Sequence, residues 1–446
     1  MIGAPGTGKT SVAVATVIDR VLHDSLPADA CLVLAPTRAA AARLRDAVTA
    51  GVAGTTTQPL ARTPSALAFS LLVDAATAAD EHPPRLLSGA EQDVVLGDLL
   101  AGHRASGEGP DWPEGLREAL PTRGFRDQLR DLLMRAVEHG LGPEELSELG
   151  AQHDRPDWRA AADVLREYDE VTALQSPGAY DPAWICTAAA DRLSTDPGLL
   201  QHVRRRIRLI VVDDAQELTA SAARLIEQVH HAGIPVVLIG DGDVTSQGFR
   251  GADPLRFSRL AERLASRTNH PVQRMVLDTS HRRGPELIEA TALVADRIGA
   301  TTGAAHRRPG TAHGTTQRPT PVEVVAVRTA AQEAALVAGW FRTAHLGDAQ
   351  LPWSRMAVLA RSRSRLDQVR RALVAAGVPV QEVASTGPLH EQPAVRALLL
   401  AARENAGERM AALGEAREYL VHVGGGPGGG RPALLGQEQG VGGGGG

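Results

Sequence analysis

The sequence predicts an α/β protein with a parallel sheet and a phosphate-binding loop. Three observations point there. The fragment GAPGTGKT, Gly3 to Thr10, has the spacing G-x-x-x-x-G-K-[ST] and runs into an apolar-periodic stretch, SVAVATVIDRVL. Continuous apolar runs, CLVLAP, LIVVDD and VVLIGD, alternate with helical patterns, as strands covered on both faces do. Past Asp278 the same alternation begins again.

Taken in order, only Met1 and Ile2 precede the loop, so the first strand is very short. The helix after the loop gives way to ACLVLAPT (Ala30–Thr37), a buried-strand run, and then to the helix RAAAARLRDAVTA. TTTQPLARTPSALAFSLLVDAA reads as loop, short strand and helix. From 87 to 185 helical stretches dominate, punctuated by Pro and Gly, which predicts a helical insertion between strands of one sheet. The sheet resumes with RIRLIVVDDAQEL (Arg206–Leu218), a helix, and PVVLIGDGD. In the second α/β region, VEVVAVR (Val322–Arg328) and MAVLAR (Met356–Arg361) are expected strands, each followed by a helix. Gly303–Pro321, rich in Thr, Gly, His and Pro, is expected to be a loop or linker, and the Gly-rich tail 424–446 to be disordered. The expected domains are 1–86 and 186–276 for the first α/β unit, 87–185 for the insertion and 277–423 for a partial second unit.

Composition narrows the function classes. At 446 residues the chain is long enough for several domains, and its 43% hydrophobic and 22% charged content is that of a globular protein. Two cysteines, Cys31 and Cys186, make neither a disulfide framework nor a metal cluster, which fits a reducing, cytoplasmic setting. No apolar run approaches a membrane span. The net charge of −5 excludes a global polycation, so any nucleic-acid binding must use a local groove.

The chemistry-bearing residues start with Lys9. It is the one lysine among 47 Lys+Arg. A compact ammonium fits between phosphate oxygens where a planar guanidinium is too bulky. The loop of Gly3, Ala4, Pro5, Gly6, Thr7 and Gly8 would cradle ATP phosphates with the backbone N–H groups of its residues other than Pro5, the following helix would present its positive end, and Thr10 would offer its hydroxyl to Mg²⁺. LIVVDDAQE delivers Asp213 and Asp214 to a strand end, the first as a Mg²⁺ ligand and the second as a base for the attacking water. After VVLIGDGD, Phe249 beside Arg250 has the chemistry to stack on a base and meet a phosphate. In LDTSHRR, Arg282 or Arg283 begins the second α/β unit and is placed to reach a γ-phosphate.

In order and spacing, GAPGTGKT, VLAPTRAAAARLRDAV, ARTPSALAFSLL, IVVDDAQEL, IGDGDVTSQGFRGA and LDTSHRR resemble motifs I, Ia, Ib, II, III and IV of the UvrD/Rep/RecB-type superfamily 1A DNA helicases. The resemblance runs from Gly3 to about Arg403. VVDDAQEL, DVTSQGFRGA and FRDQLRDLLMRAVEHGL are closest to the actinobacterial AdnA-type helicase–nuclease subunit. The resemblance implies a RecA-like P-loop NTPase fold with a helical insertion and part of a second RecA-like domain. It implies ATP and Mg²⁺ as cofactors, single-stranded DNA and duplex ends as partners, a possible second helicase–nuclease subunit, and work in double-strand-break repair. By position, Gln216 matches the glutamine that senses nucleotide state, Arg282 the arginine finger and Phe249 the aromatic that stacks on DNA. Arg38, Thr63 and Ser65 fall in segments that line the DNA path.

The departures are specific. Asp214 stands where the family has glutamate, and Val244 where it has glutamine, with Gln247 out of register. The adenine-reading segment, motifs V and VI and nuclease residues are not recognisable, so the expectation is a fragment of a longer motor with impaired ATP hydrolysis. Two rival expectations are a scaffold subunit that binds nucleotide and DNA but turns over little, and a P-loop ATPase without a DNA role.

Overall fold

The computed structural model describes residues 1–24, 26–52, 60–267, 273–299, 303–312, 322–347 and 350–381. Two compact units divide between Glu323 and Val324.

The first unit is built on parallel strands. Ala61–Arg62, Cys31–Leu34, Leu209–Val212 and Val236–Leu238 form one sheet in that spatial order. Ile2 bridges Gly240 in parallel, and Ile2–Gly3 also pairs with Val276–Leu277, which extends the array beyond Val236–Leu238. The apolar runs are continuous because both faces are covered. Leu32, Leu34, Ile210 and Val212 face a core shared with the helices Pro64–Ala79, Ile185–Thr195 and Ala220–His231. Cys31, Val33, Leu209 and Val211 alternate to the opposite core, against Lys9–Leu22 and Arg38–Gly51. Cys31 is thus a buried packing residue whose thiol is pushed up by burial, as expected of an inert cysteine.

The expected insertion is helical: Gly89–Ser106, Arg123–Glu138, Pro143–Gln152 and Pro156–Gln175 close around Leu96, Leu133, Leu165 and Tyr168. Local sequence sets its boundaries. Ser88 and Glu91 form a reciprocal capping box, Thr122 caps the next helix, and Pro143 and Pro156 open the last two. Arg85–Leu86 pairs in parallel with Ala179–Tyr180, so the chain leaves and re-enters the insertion side by side.

Three expectations need correction. First, the first unit does not end near 277. Val276–Leu277 pairs with the strand leading into the P-loop, and Thr279–Ser280 pairs with Gly310–Thr311, so long-range ladders hold this stretch to the first unit. Second, Gly303–Pro321 is not simply a loop or linker. Its described part, 303–312, carries a strand and the buried side chains of His306 and Arg307. Third, Val322–Arg328 and Met356–Arg361 form no ladder among the described residues. A strand needs a hydrogen-bonded neighbour, and Val324 and Leu359 stand 92% and 95% exposed.

In the second unit, the helices Ala330–Leu346 and Arg363–Ala375 pack through Ala334, Ala338, Val369 and Leu373. The tail 424–446, and everything after 381, lies outside the described residues.

Candidate functional site

The site gathers where the first unit's strands end. Gly6 and Gly8 both adopt φ of 86°, a left-handed conformation natural to glycine. Gly8 caps the Lys9–Leu22 helix, so the turn aims the first-turn N–H groups and the positive helix end at one spot. Thr7 folds inward, its hydroxyl donating to the Ala4 carbonyl at 2.8 Å. Lys9 Nζ donates to the carbonyls of Gly3 (2.7 Å) and Ala4 (3.1 Å), holding the ammonium across the mouth of its own loop. Burial lowers the Lys9 pKa, while the carboxylates of Asp241, Asp214 and Asp213 work against that.

Across from the loop, Leu209–Val212 delivers Asp213, as its sequence implied. The Thr10 hydroxyl donates to Asp213 Oδ2 at 2.9 Å across 203 residues of chain. Asp213 is 4% exposed, and its Oδ1 is buried with no hydrogen-bond partner. Burial, then the neighbouring Asp214 charge, pushes the Asp213 carboxyl up from the ordinary carboxylate range. An orphaned carboxylate oxygen beside a threonine hydroxyl at a phosphate loop suits Mg²⁺, which takes few protein oxygens and fills its shell with water and phosphate. Thr10 and Asp213 therefore fit the metal.

Gln216 is 2% exposed and bridges two segments. Its Nε2 donates to Asp214 Oδ1 at 3.2 Å, and its Oε1 accepts the Asp241 N–H at 3.0 Å. Gly240 makes room: a Cβ there would lie 2.6 Å from Gln216 Oε1. One residue on, Glu217 accepts from the Ser246 N–H and hydroxyl and from the Gln247 N–H, at 2.8, 2.9 and 2.8 Å. These bonds fix the chain just before the turn Gly248–Arg250, which carries Phe249 and Arg250. The Phe249 side chain lies outside the described residues, and Arg250 is exposed.

The LDTSHRR segment lies on the P-loop. The His281 N–H donates to the Gly6 carbonyl at 2.9 Å, and a Cβ on Gly6 would meet Arg282 Cβ at 3.3 Å. Arg282 is exposed, whereas Arg283 is buried. Arg283 Nη1 donates to the Thr291 hydroxyl at 2.7 Å, while its Nε and Nη2 are buried without partners. Burial, then the Arg282 charge, lowers the Arg283 pKa.

The remaining DNA-path candidates sit at other strand ends. Arg38 is the exposed first residue of its helix. Thr63 caps Pro64–Ala79 through the Ala66 N–H, and Ser65 is exposed beside the Cys186 thiol. With the Gly248–Arg250 turn they follow the C-terminal ends of parallel strands, the edge where α/β sheets bind ligands.

Sequence reasoning missed Glu217, His306 and Arg307. Glu217 adjoins the motif it serves, so its position was a signal. His306 and Arg307 gave none, because their acidic partners lie 64 and 65 residues earlier.

Comparison with known proteins agrees with this geometry. The family described as UvrD/REP helicase N-terminal domain matches residues 1–291. ATP-dependent DNA helicase UvrD2 of Mycobacterium bovis, and the same-named protein of two Mycobacterium tuberculosis strains, are each 28% identical over 326 residues, covering 69% of this chain and 44% of theirs. The chain thus spans less than half the length of these relatives. With the family match extending over more than half of its residues, and a P-loop, a buried strand-end carboxylate bonded to Thr10 and a bridging glutamine assembled as described, the chain belongs to the UvrD/REP helicase family.

Proposed function

We propose that this chain is the motor portion of an ATP-dependent DNA helicase or translocase that acts on single-stranded DNA. The observation that carries it is a run of contacts: Thr10 bonds Asp213 at the P-loop, the next residue Asp214 bonds Gln216, Gln216 bonds Asp241, and Glu217 beside it holds Ser246 and Gln247 ahead of the turn bearing Phe249 and Arg250. Lys9 and the loop N–H groups bind the phosphates. Thr10 and Asp213 would hold Mg²⁺, which when bound would offset the charge on the phosphates. Asp214 takes the proton of the attacking water, Gln216 reports the state of the site to the turn, and Arg282 meets the γ-phosphate. Arg38, Thr63, Ser65, Phe249 and Arg250 form the DNA path.

The likeness of VVDDAQEL and DVTSQGFRGA to AdnA-type subunits favours double-strand-break repair beside a second helicase–nuclease subunit, in the cytoplasm. Asp214 favours a second reading, a subunit that binds nucleotide and DNA but hydrolyses slowly, since its carboxylate is a methylene short and hydrogen-bonded to Gln216.

Steady-state ATPase, with and without single-stranded DNA, separates the readings when run beside Lys9→Ala. A low activity that DNA raises and Lys9→Ala removes supports the motor. Nucleotide and DNA binding without turnover supports the scaffold. Turnover indifferent to DNA rejects both.

A further inference from the structure

Beyond residue 291, where the family match ends, the described segment 303–312 completes the site. His306 and Arg307 are 2% and 6% exposed, and Asp241 is 1% exposed. His306 Nε2 lies 3.0 Å from Asp241 Oδ1 and 3.3 Å from Asp243 Oδ2, so this nitrogen carries the proton between two carboxylates. Arg307 grips Asp243 with two parallel bonds, Nε to Oδ2 at 2.8 Å and Nη2 to Oδ1 at 2.9 Å. Its Nη2 also donates to the Gly299 carbonyl. Three residues later, Gly310–Thr311 pairs in parallel with Thr279–Ser280, immediately before the His281–Arg282 stretch that rests on Gly6.

The strap therefore closes a ring. The P-loop touches His281, whose strand pairs with the strap. The strap holds Asp241 and Asp243. The Asp241 N–H holds Gln216, and Gln216 returns to Asp214 beside the metal acid. The segments are joined to one another by hydrogen bonds and ion pairs, buried at His306–Asp241 and Gln216–Asp241 and part-buried at Arg307–Asp243 and Gln216–Asp214, so displacing one segment loads the others.

We propose that His306 and Arg307 are positioning residues that couple the nucleotide loop to the turn bearing Phe249 and Arg250, so that bound nucleotide alters affinity for single-stranded DNA. This rests on the motor reading above. The alternative is a buried ion pair that only stabilises the fold.

The test measures the affinity of the full chain for a fluorescein-labelled oligothymidylate, with and without ATPγS and Mg²⁺, in wild type, Arg307→Ala and Arg307→Lys. Wild type should show a nucleotide-induced change of at least about fivefold, the lower end of usual coupling between sites. Arg307→Ala should bring the ratio to within about twofold of unity while keeping ATPγS affinity within about threefold. Arg307→Lys, which keeps the charge but not the paired geometry, should fall between. If Arg307→Ala does not fold, Arg307→Lys decides: an intermediate ratio supports the coupling, and a wild-type ratio overturns it. A folded Arg307→Ala with the wild-type ratio, or a wild type that binds DNA with a ratio of one, overturns the inference alone. Failure of wild type to bind DNA overturns the motor reading with it.

Discussion

Replacing Gly240 with alanine isolates the contact between the segment carrying Asp214 and the one carrying Asp241. Gly240 does not occupy the left-handed region, so alanine costs it no backbone strain. The added methyl would instead lie 2.6 Å from Gln216 Oε1 and 3.4 Å from the Ala215 and Gln216 nitrogens. Two responses are open. If the Gln216 amide swings away, the buried Asp241 N–H loses its acceptor, at about 1–3 kcal/mol. If the backbone shifts, overpacking costs about 1–3 kcal/mol. These are alternatives, so Gly240→Ala should destabilise by about 1–3 kcal/mol rather than by their sum. The assay is urea unfolding of Gly240→Ala, Gln216→Ala and the double variant. Gln216→Ala loses the same bond, but it also removes the atom that clashes. The double variant should therefore be no less stable than Gln216→Ala alone, giving a favourable coupling of about 1 kcal/mol or more. Additive losses would refute the reasoning, because the methyl would then be acting somewhere other than on this amide. In both single variants ATP turnover should fall more than nucleotide affinity, since the atoms nearest the added methyl belong to Ala215 and Gln216 and not to the P-loop.

Other predictions follow from single groups. Lys9→Ala should abolish the thermal stabilisation given by ATP with Mg²⁺ while leaving the far-ultraviolet spectrum unchanged; a preserved shift would reject the phosphate site. Phe249→Ala should weaken binding to single-stranded DNA by about 1–3 kcal/mol, read by anisotropy, with nucleotide binding unaltered. Within the helical insertion, burial and the Asp181 carboxylate push Asp169 up to about 7. The folded protein keeps a proton that the unfolded chain releases near pH ~4, so stability should fall as pH rises from ~4 to ~7 and level off above. Asp169→Asn should flatten that slope and stabilise the protein at pH ~8 by about 1–2 kcal/mol, after allowance for solvent reaching the carboxylate. Equal slopes in chemical unfolding across that range would remove the effect.

What could be read from sequence was what is local in the chain. The P-loop is eight adjacent residues whose glycines, lysine and threonine each have a job, and LIVVDD names both its strand and its acids. The alternating burial of Leu32, Val33 and Leu34 follows from an apolar run between two helical layers. The strap could not be read, because nothing in GAAHRRPGT says that two of its residues meet acids 64 and 65 positions away. Its small and polar residues look like a linker until Gly310–Thr311 finds Thr279–Ser280. The errors at VEVVAVR and MAVLAR have the converse cause. Both sequences suit strands, but β structure is a pairing, and neither has a ladder partner among the described residues. The unit boundary was misplaced for the same reason: Val276–Leu277 belongs with a strand near the start of the chain.

Asp214 joins the local reading to the long-range one. It is one of four non-glycine residues with positive φ among those described, at 51°. Aspartate tolerates that region better than most side chains because its short carboxylate can bond locally, and here it accepts from Gln216 Nε2. The turn that swings the chain from the Leu209–Val212 strand into Ala215–Glu217 therefore suits an aspartate. A glutamate would reach a methylene further toward the phosphates and would be less suited to that bond. Under the proposed role of Asp214 as base, the shorter side chain gives up reach toward the water and keeps its bond to Gln216, the residue that grips Asp241 and, through it, the strap. The same exchange accounts for both halves of the functional reading. The proposed motor would then hydrolyse ATP slowly, because the carboxylate falls short, while keeping the contacts that run from Asp214 through Gln216 to Asp241 and the strap.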